Sequence, residues 1–296
     1  MKFDLHIHSN ISDGNMSKLE LLKLANDTQI KVIAFCDHNI YDNGVDILKE
    51  YESIYGKSST LVIPGIELDA SNPKIGGLHI LGYGINNISF IQNKLNELEK
   101  ENYNITKKQI QLLKECCHID IDEEKVCKYN NVKIVTYNAL KNFLKQSSMD
   151  NVYKYLSIGQ KAHIHRKQLS DIEAIKIILK SGGVPILAHP KTLRYKSDMK
   201  PLGTSKSFYD YLDELKQYGL VGIESHTLKH TPNEQAKYLE IANTKGLICT
   251  AGSDFHNFER TKKFGVDYCE TVFLFPLIKE IEKIRIYNKS PEDRYR

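Results

Sequence analysis

The two ends of the chain each carry a pair of side chains whose types and spacing suit metal binding. His6 and His8 lie two positions apart in an apolar segment near the N-terminus, and Asp254 and His256 lie two positions apart near the other end. Alternate residues of a β-strand project from the same face of the strand. Imidazole and carboxylate groups without thiolates are suitable ligands for Mn, Fe or Zn. The two pairs therefore predict one metal site that both ends of the chain help to build.

Further histidines and acids lie in or directly after short apolar segments that are typical of β-strands. The seven candidate strands are residues 2–7, 32–36, 61–66, 78–83, 184–188, 220–223 and 247–251. The histidines and acids in or after these strands are His6, His8, Asp13, Asp37, His38, Glu67, His79, His189, Glu224, Asp254 and His256. The C-terminal ends of the strands of an α/β barrel meet at one mouth. A buried cluster of such groups without metal would be costly to desolvate, so we predict a polynuclear metal site at this mouth.

Amphipathic segments separate the candidate strands and predict helices. In the segment 17–26, Ser17 and Glu20 have the spacing of a capping box. The segments 172–181 and 233–245 are followed by glycines, where helix C-caps are expected. Strands that alternate with helices in this order indicate a parallel α/β architecture, which can close into a barrel.

The alternation stops between residues 88 and 170. This part of the chain is rich in Lys, Glu, Asn and Gln, and it shows helical periodicity without a strong strand. We therefore predict a metal-binding barrel formed by residues 1–87 and 171–296, with a mostly helical insertion or cap domain at residues 88–170.

The composition is that of a globular protein without a membrane span. Hydrophobic residues make up 41% of the 296 residues and charged residues 26%. The longest apolar runs fall far short of the roughly 20 residues that cross a bilayer, and the N-terminus lacks the apolar stretch of a signal peptide. Six cysteines without a CxxC motif favour free thiols, so we expect a cytoplasmic protein. The net charge of +4 suits an anionic substrate but does not predict stable binding of duplex nucleic acid.

The candidate ligands stand in motifs that resemble those of a known family. The motifs are Asp-Leu-His-Ile-His-Ser at 4–9, Cys-Asp-His-Asn at 36–39, Gly-Ile-Glu at 65–67, His79, Ala-His-Pro at 188–190 and Gly-Ser-Asp-Phe-His at 252–256. Together they resemble the PHP (polymerase and histidinol phosphatase) family. The resemblance implies a distorted (β/α)7 barrel. The insertion after His79 resembles that of the subgroup that includes nucleotide phosphoesterases and 5′-3′ exonucleases.

The resemblance also implies how the ligands divide among two or three divalent ions. The first ion would be held by His6, His8, Glu67 and Asp254. Glu67 would bridge to a second ion, which His79 and His189 complete. The third ion would be held by Asp13, His38 and His256. Asp37, which precedes a ligand, would orient its neighbours or serve as a structural acid.

Such a centre suits the hydrolysis of phosphate esters. Two bridged ions can generate a metal-bound hydroxide near neutral pH and polarise the phosphoryl oxygens, and a third can neutralise the leaving oxygen. The hydroxide would attack phosphorus in line, so no serine or cysteine nucleophile is needed. The expected substrate is a phosphorylated small molecule, namely a nucleotide or a short oligonucleotide.

Basic side chains outside the metal set are candidates for substrate binding. The segment His163-Ile164-His165-Arg166 partly resembles an Arg/His-bearing segment of the nucleotide-directed subgroup, and Arg166 could bind a phosphate through its guanidinium. His230, or in a slightly poorer register His226, follows the sixth candidate strand, where the family often places a phosphate-contacting histidine. Lys191 and Arg194 are further candidates near the mouth. The alternative for each of these residues is a solvated side chain without a role in binding.

Three other functions remain open on the sequence. A histidinol-phosphatase-like enzyme would need acidic groups that face a substrate ammonium, and none is clearly placed. A non-catalytic, metal-stabilised module would not need the complete ligand set. An amidohydrolase also begins with two histidines on its first strand, but it usually has a bridging lysine where this chain has Glu67.

Overall fold

Eight strands and the helices around them form the framework of the described part of the chain. The computed structural model describes residues 1–130, 132, 134–146, 153–194, 202, 206–261 and 263–287. The strands are β1 (Phe3–Ile7), β2 (Val32–Phe35), β3 (Leu61–Asn72), β4 (Gly76–Tyr83), β5 (Leu169–Ser170), β6 (Val184–Leu187), β7 (Gly222–Thr227) and β8 (Ile248–Gly252). The helices are α1 (Lys18–Asp27), α2 (Val45–Tyr55), α3 (Ile88–Cys117), α4 (Glu123–Asn130), α5 (Tyr137–Gln146), α6 (Tyr153–Leu156), α7 (Asp171–Lys180), α8 (Lys206–Gln217), α9 (Pro232–Lys245), α10 (Phe258–Thr261), α11 (Glu270–Phe273) and α12 (Phe275–Tyr287).

The sheet has the strand order β1-β2-β3-β4-β6-β7-β8, and the short strand β5 pairs with β3. Strands β1, β2 and β3 are parallel to one another, as are β6, β7 and β8. Strand β4 is antiparallel to both of its neighbours, β3 and β6, which is a departure from the parallel α/β architecture expected from the sequence. The reason is the connection between β3 and β4, which is only residues 73–75 long. A turn this short joins antiparallel strands, since a parallel crossover needs a dozen residues or more.

The two ends of the sheet approach each other and nearly close a barrel. The backbone N–H of His8 donates to the carbonyl of Phe255 at 2.8 Å, and that of Phe255 donates to the carbonyl of His6 at 3.3 Å. Gly252 permits this approach, because a Cβ at this position would lie 2.5 Å from the Cβ of His6. The distorted seven-strand barrel expected from the family resemblance is therefore confirmed.

Three barrel helices begin at capping boxes. Ser17 caps α1, Ser170 caps α7 and Thr231 caps α9, and in each case a glutamate three residues later reaches back to the cap. Such an N-cap contributes about 1 kcal/mol to stability. Gly246 ends α9 in the left-handed conformation with a φ of 62°, which glycine adopts without strain. These caps fix where each helix begins, and hence the length of the loop that precedes it.

The chain divides into two compact units. The first comprises Met1–Gln92 and Leu169–Arg296 and contains the barrel, and the second is Asn93–Gln168. The described part of the second unit is helical and has a core of its own. This core consists of Ile110, Leu113, Ile121, Val126, Val135, Ala139, Leu140, Leu144, Leu156 and Ala162.

Two expectations about the environment of the chain can be compared with the structure. None of the described helices has both the length and the apolar character that a membrane crossing requires. The six cysteines are all free thiols, and Cys36 and Cys249 are buried.

Candidate metal centre

A cavity of about 500 Å³ lies where the loops after β1, β2, β6, β7 and β8 meet side chains of β3 and β4. It is lined by Asp13, His38, Glu67, His79, His189, Leu228, Lys229, Ser253, Asp254, His256, Arg260 and Thr261. Seven of these residues are predicted ligands. The two remaining predicted ligands, His6 and His8, contact Glu67 from within the barrel. The fold thus brings all nine predicted ligands together.

Four buried side chains, His6, His8, Glu67 and Asp254, form what we call the buried group. The Nε2 atoms of His6 and His8 are 3.1 Å apart. Glu67 Oε2 lies 3.3 Å from Nε2 of His6 and 3.2 Å from Nε2 of His8. Asp254 Oδ1 lies 3.6 Å and 3.2 Å from the same two nitrogens. His6, His8 and Glu67 therefore offer three ligand atoms within 4.8 Å of one another, and Asp254 lies beside the two nitrogens.

These separations match the space that a divalent ion would fill. Donor atoms that are each about 2.0–2.2 Å from one ion lie about 2.8–3.6 Å apart when they occupy tetrahedral or neighbouring octahedral positions. Within the described residues, Glu67 Oε2 is buried without a hydrogen bond. A buried carboxylate oxygen without a partner is costly, and an ion would satisfy it. The residues of the buried group therefore fit a metal ion.

Glu67 presents its other oxygen to a second pair of imidazoles, and these three residues form the bridged group. Oε1 lies 2.9 Å from Nδ1 of His79 and 3.0 Å from Nε2 of His189. His79 reaches this position because β4 runs antiparallel to β3, and His189 directly follows β6. The carboxylate thus stands between two sets of nitrogen atoms, which is the arrangement of a bridging ligand.

Asp13, His38 and His256 form an outer group, which lies beside the second nitrogen of His8. Asp13 Oδ2 lies 3.1 Å from Nε2 of His256. Asp13 Oδ1 lies 3.6 Å from Nδ1 of His8 and 3.8 Å from Nε2 of His38. The Asp13 side chain is 44% exposed, so this group is much more open to solvent than the buried group.

Two of the candidate ligands have an uncommon backbone conformation. The φ angle is 53° at Asp254 and 24° at His189, which residues other than glycine rarely adopt. Such conformations cost roughly 1–3 kcal/mol and persist where the surrounding structure holds them, often at functional sites. The fold therefore tolerates local strain to aim these two side chains into the cavity.

Glu224 holds two of the ligands in place. Its Oε1 lies 2.9 Å from Nδ1 of His6, and its Oε2 accepts a hydrogen bond from the backbone N–H of His189 at 2.9 Å. A carboxylate that accepts Nδ1–H of His6 leaves the Nε2 lone pair directed at the buried group. The sequence placed Glu224 just beyond a strand at 220–223, whereas β7 extends over Gly222–Thr227 and contains it.

Asp69 belongs to the site, although the sequence analysis missed it. Its Oδ1 lies 2.8 Å from Nδ1 of His38 and 3.5 Å from Nε2 of His79. Burial opposes its ionisation, but these imidazoles lower the pKa of the Asp69 carboxyl. A signal was present in the sequence, because Asp69 lies two residues after Glu67 and therefore projects from the same face of β3.

The charges of the buried group depend strongly on one another. Burial by itself would raise the pKa of Glu67 and of Asp254, but the neighbouring imidazoles, His6 above all, hold both values well below the ordinary range. In return, and against the effect of burial, Asp254 and Glu67 raise the pKa of His8 to about 9. Metal binding at such a group displaces protons from the imidazoles, because a ligand nitrogen must be deprotonated.

The PHP domain family matches residues 4–227 of the chain. The chain belongs to this family. It is 26% identical over 270 residues to the phosphoribosyl 1,2-cyclic phosphate 1,2-diphosphodiesterase of Eggerthella lenta. This alignment covers 88% of this chain and 95% of that protein. It is 29% identical over 262 residues to a 5′-3′ exoribonuclease of Haemophilus influenzae, with 86% of this chain and 90% of that protein covered.

A solved structure shows the same fold as this PHP domain protein. An amidohydrolase from Chromobacterium violaceum with bound sulfate has a TM-score of 0.69 at 21% identity, and 96% of this chain and 97% of that chain are covered. At this level of identity the likeness shows the fold alone. It extends over nearly the whole of both chains.

In this PHP domain, Asp37 lies beside the loop that carries Asp13. The buried Asp37 carboxylate accepts hydrogen bonds from the backbone N–H of Ser9 at 2.8 Å and from the hydroxyl of Ser12 at 2.7 Å. It also pairs with Lys18 at 3.2 Å. These contacts hold the loop before Asp13 in place, and an orienting role for Asp37 in catalysis stays a prediction.

The two histidines after Glu224 have different surroundings. The ring of His226 packs against Tyr268 and Phe273, with centroid distances of 4.9 and 4.4 Å, and burial lowers the pKa of His226 to about 4. His230 is buried, and its Nδ1 lies 2.8 Å from the carbonyl of Ser225. Its Nε2 has no hydrogen-bond partner among the described residues. A role in substrate binding therefore stays a prediction for His230, whereas His226 is a packed, neutral ring.

The basic residues near the cavity differ from those that the sequence favoured. Lys191 pairs with Glu234 at 2.8 Å, and Arg194 donates to the carbonyl of Lys191 at 2.8 Å. Two other basic residues line the cavity, Lys229 and Arg260. The spacing along the sequence did not indicate them, because Lys229 lies in the loop after β7 and Arg260 lies in the four-residue helix α10, and neither segment is long enough to show periodicity.

Each of these two cations contacts a candidate ligand. Lys229 forms an ion pair with Asp254 Oδ2. Arg260 lies 3.4 Å from Asp13 Oδ2, and its side chain is 61% exposed. Both therefore bring positive charge to the cavity, one at the buried group and the other at the outer group.

Arg166 lies in the second structural unit. Its guanidinium carbon is 4.5 Å from the centroid of the Tyr137 ring, an arrangement in which the ring stabilises the cation and restricts its orientation. Its proposed contact with substrate stays a prediction.

Proposed function

We propose that this PHP domain protein uses two or three divalent ions of Mn, Fe or Zn to hydrolyse phosphate esters of nucleotides or short oligonucleotides. The observation that supports this proposal best is the division of Glu67 between two sets of imidazoles, with Oε2 in the buried group and Oε1 in the bridged group. Bridged ions are a recurring device for phosphoryl transfer to water.

The names of the two relatives support this class of substrate. One is a diphosphodiesterase for a phosphoribosyl cyclic phosphate, and the other is a 5′-3′ exoribonuclease. Both names describe the cleavage of phosphate esters on ribose-containing molecules. A phosphate ester of ribose is the common element.

The buried, bridged and outer groups would each hold one ion. Ions bound there would supply Lewis-acid polarisation of the phosphoryl group and would lower the pKa of a water molecule. Glu224 and Asp69 orient the imidazoles from the side away from the proposed ions. Asp37 holds the loop that positions Asp13.

Lys229 and Arg260 would bind phosphate oxygens of the substrate. In the structure they balance the charges of Asp254 and Asp13. Both line the cavity, so they can move to a bound phosphate when ions take over the two carboxylates. The planar guanidinium of Arg260 can donate two parallel hydrogen bonds to a phosphate. His230, with its unpartnered Nε2, and Arg166 are proposed as further substrate contacts.

The decisive experiment is a metal-loaded activity screen. The purified protein is loaded separately with Mn²⁺, Fe²⁺ and Zn²⁺ and is offered 5′-phosphorylated RNA, nucleoside bisphosphates, a phosphoribosyl cyclic phosphate and histidinol phosphate. We expect release of phosphate or mononucleotides from the ribose-containing substrates. Turnover of histidinol phosphate alone would favour the small-molecule phosphatase, and inactivity with two or more ions bound would favour a metal-stabilised module. A cytoplasmic location stays a prediction of the sequence.

Replacing Arg166 tests its proposed contact with the substrate. Arg166→Ala should raise KM for a 5′-phosphorylated oligonucleotide about tenfold, since hydrogen bonds to a charged group contribute roughly 1.5–3 kcal/mol. The value of kcat should change little. Lys161→Ala, which removes the same charge from an exposed residue of the same unit, is the control. An unchanged KM in steady-state kinetics would mean that Arg166 is a solvated side chain.

A further inference from the structure

We infer that Asp69 is a positioning residue that selects which nitrogen His38 and His79 each present to the metal centre. The inference rests on the proposed function, because it concerns how the ligands of that centre are oriented. Asp69 would thereby join the outer group to the bridged group through one carboxylate.

The geometry places both imidazoles between the same two carboxylates. His38 Nε2 lies 3.4 Å from Glu67 Oε2, while its Nδ1 lies 2.8 Å from Asp69 Oδ1. His79 Nδ1 lies 2.9 Å from Glu67 Oε1, while its Nε2 lies 3.5 Å from Asp69 Oδ1. Each ring therefore turns one nitrogen toward Glu67 and the other toward Asp69.

The chemistry of a neutral imidazole turns this geometry into a choice of tautomer. One ring nitrogen carries the proton and the other has the lone pair that binds a metal. Both nitrogens of each ring lie beside a carboxylate, and the close contact of His38 Nδ1 with Asp69 is not aligned as a hydrogen bond. An ion bound at Glu67 would take the lone pair of the nitrogen beside Glu67, so the proton would lie on the nitrogen beside Asp69. Asp69 would thus leave Nε2 of His38 and Nδ1 of His79 as ligand atoms. A single acid would select opposite tautomers in two rings.

The same three side chains could also be arranged around an additional ion, but the tautomer chemistry disfavours this. His38, Asp69 and His79 offer ligand atoms within 4.8 Å of one another. An ion there, in addition to those at Glu67, would require both rings to bridge two metals. Each ring would then have to lose its remaining N–H and become an imidazolate, whereas the usual metal-bound histidine keeps that proton for a hydrogen bond.

Asn39 holds Asp69 in the required orientation. Its Nδ2 donates to Asp69 Oδ2 at 2.9 Å, and its Oδ1 accepts from the backbone N–H of Asp69 at 3.0 Å. Asn39 itself has a φ of 53°, a conformation that asparagine tolerates better than most residues. Asp69 also lies opposite His79 in the β3–β4 register, so both the backbone and the Asn39 side chain fix its position.

The test is the metal affinity of Asp69→Ala in the full-length protein. Titration of the metal-free protein with Zn²⁺, followed by calorimetry, should show two of the binding steps weakened about 10- to 100-fold, with the number of ions unchanged. Glu259→Ala, which removes an exposed acid in α10, should leave every step unchanged. Histidine ¹⁵N–¹H correlation spectra of the zinc-loaded protein should show Nδ1–H on His38 and Nε2–H on His79, and the variant should lose this distinction.

Asn39→Gly provides a second measurement, because glycine keeps the φ of 53° accessible and removes only the side chain that holds Asp69. It should weaken the same two steps by a smaller factor. Unchanged affinities in both variants, or the loss of one whole binding step in Asp69→Ala, would overturn the positioning role. If the wild-type protein binds no ions at all, the proposed function fails as well, which distinguishes the two outcomes.

Discussion

The buried group and the outer group use the same kinds of side chain in very different surroundings. In the buried group, the side chain of Glu67 is only 1% exposed, and His6 and Glu67 project from strands. In the outer group, Asp13 is 44% exposed and His38 is 21% exposed, and both follow strand ends in loops. Asp37 holds the loop before Asp13 through Ser9 and Ser12, and Asp69 contacts His38.

This difference shows how one centre could bind an ion tightly and still expose another ion to the substrate. A buried cluster of carboxylates and imidazoles is satisfied only when each charge has a partner, so we expect the buried ion to be held tightly. The outer group faces the cavity, so its ion would meet substrate and solvent directly. The variants below either test this contrast or make it more quantitative.

The largest effect is expected from Glu67→Ala. This change removes the carboxylate shared by the buried and bridged groups, so both ions should be lost, and activity should fall about 10³-fold or more. Metal analysis after gel filtration and a phosphate-release assay measure the two effects. The exposed-acid variant Glu259→Ala is the control. Retention of full activity would show that Glu67 is not a bridging ligand.

A smaller and more selective effect is expected from Asp13→Ala. Asp13 is a proposed ligand of the outer ion only, and it meets the buried group only at the second nitrogen of His8. The protein should therefore lose one ion and keep those at Glu67. The value of kcat should fall about 100-fold, as it does when one group that stabilises developing charge is removed. Loss of all ions in the metal analysis would contradict the independence of the two groups.

The cations at the cavity should affect substrate binding more than metal content. Arg260→Ala should raise KM for a phosphate ester about 3- to 10-fold, since an exposed cation contributes less than a buried one. The number of bound ions should stay the same. Lys191→Ala is the matched control, because Lys191 is paired with Glu234 and should leave KM unchanged. An equal effect of both variants would point to a general loss of positive charge.

The smallest effect concerns a histidine outside both groups. Burial lowers the pKa of His226 to about 4 from its ordinary value of 6.5, so the folded state favours the neutral ring. Its contribution to stability is complete above pH 6.5 and is lost as the pH falls toward 4.

His226→Phe should therefore reduce the acid-induced loss of stability by about 1–2 kcal/mol, after allowance for partial exposure. Urea unfolding of the metal-free protein at pH 7 and pH 4.5 measures this difference. The control is His118→Gln, which changes an exposed histidine directly after α3. It should leave the pH dependence of the unfolding free energy unchanged. An identical pH dependence in the His226 variant would assign the acid sensitivity to other groups.

Most of the barrel could be predicted because its signals are local. The helix that begins after Ser17 was indicated by a capping box and by periodicity, and the structure has it at Lys18–Asp27. The strands were indicated by apolar runs, although β3 is twice as long as the predicted 61–66 and β7 begins and ends later than the predicted 220–223. Strand ends are harder to predict, because pairing with neighbours rather than composition determines them.

The direction of β4 could not be inferred from the strand pattern by itself. An apolar run has the same composition in a parallel and in an antiparallel strand. The short turn at 73–75 carried the information, and the regular alternation of the rest of the barrel obscured it. As a result, His79 was placed in the correct strand, but its relation to Asp69 and Glu67 was not foreseen.

The sequence by itself determined the residue types of the candidate centre and their order along the chain, because His6-x-His8 and Asp254-x-His256 combine local spacing with specific chemistry. Only the tertiary structure decided which side chains support and surround these residues. Asp69, Glu224, Lys229 and Arg260 act on partners far away in the sequence, and such contacts depend on how strands pair and where loops turn. The candidate metal ligands could thus be proposed from local patterns, whereas their orientation is a property of the nearly closed barrel.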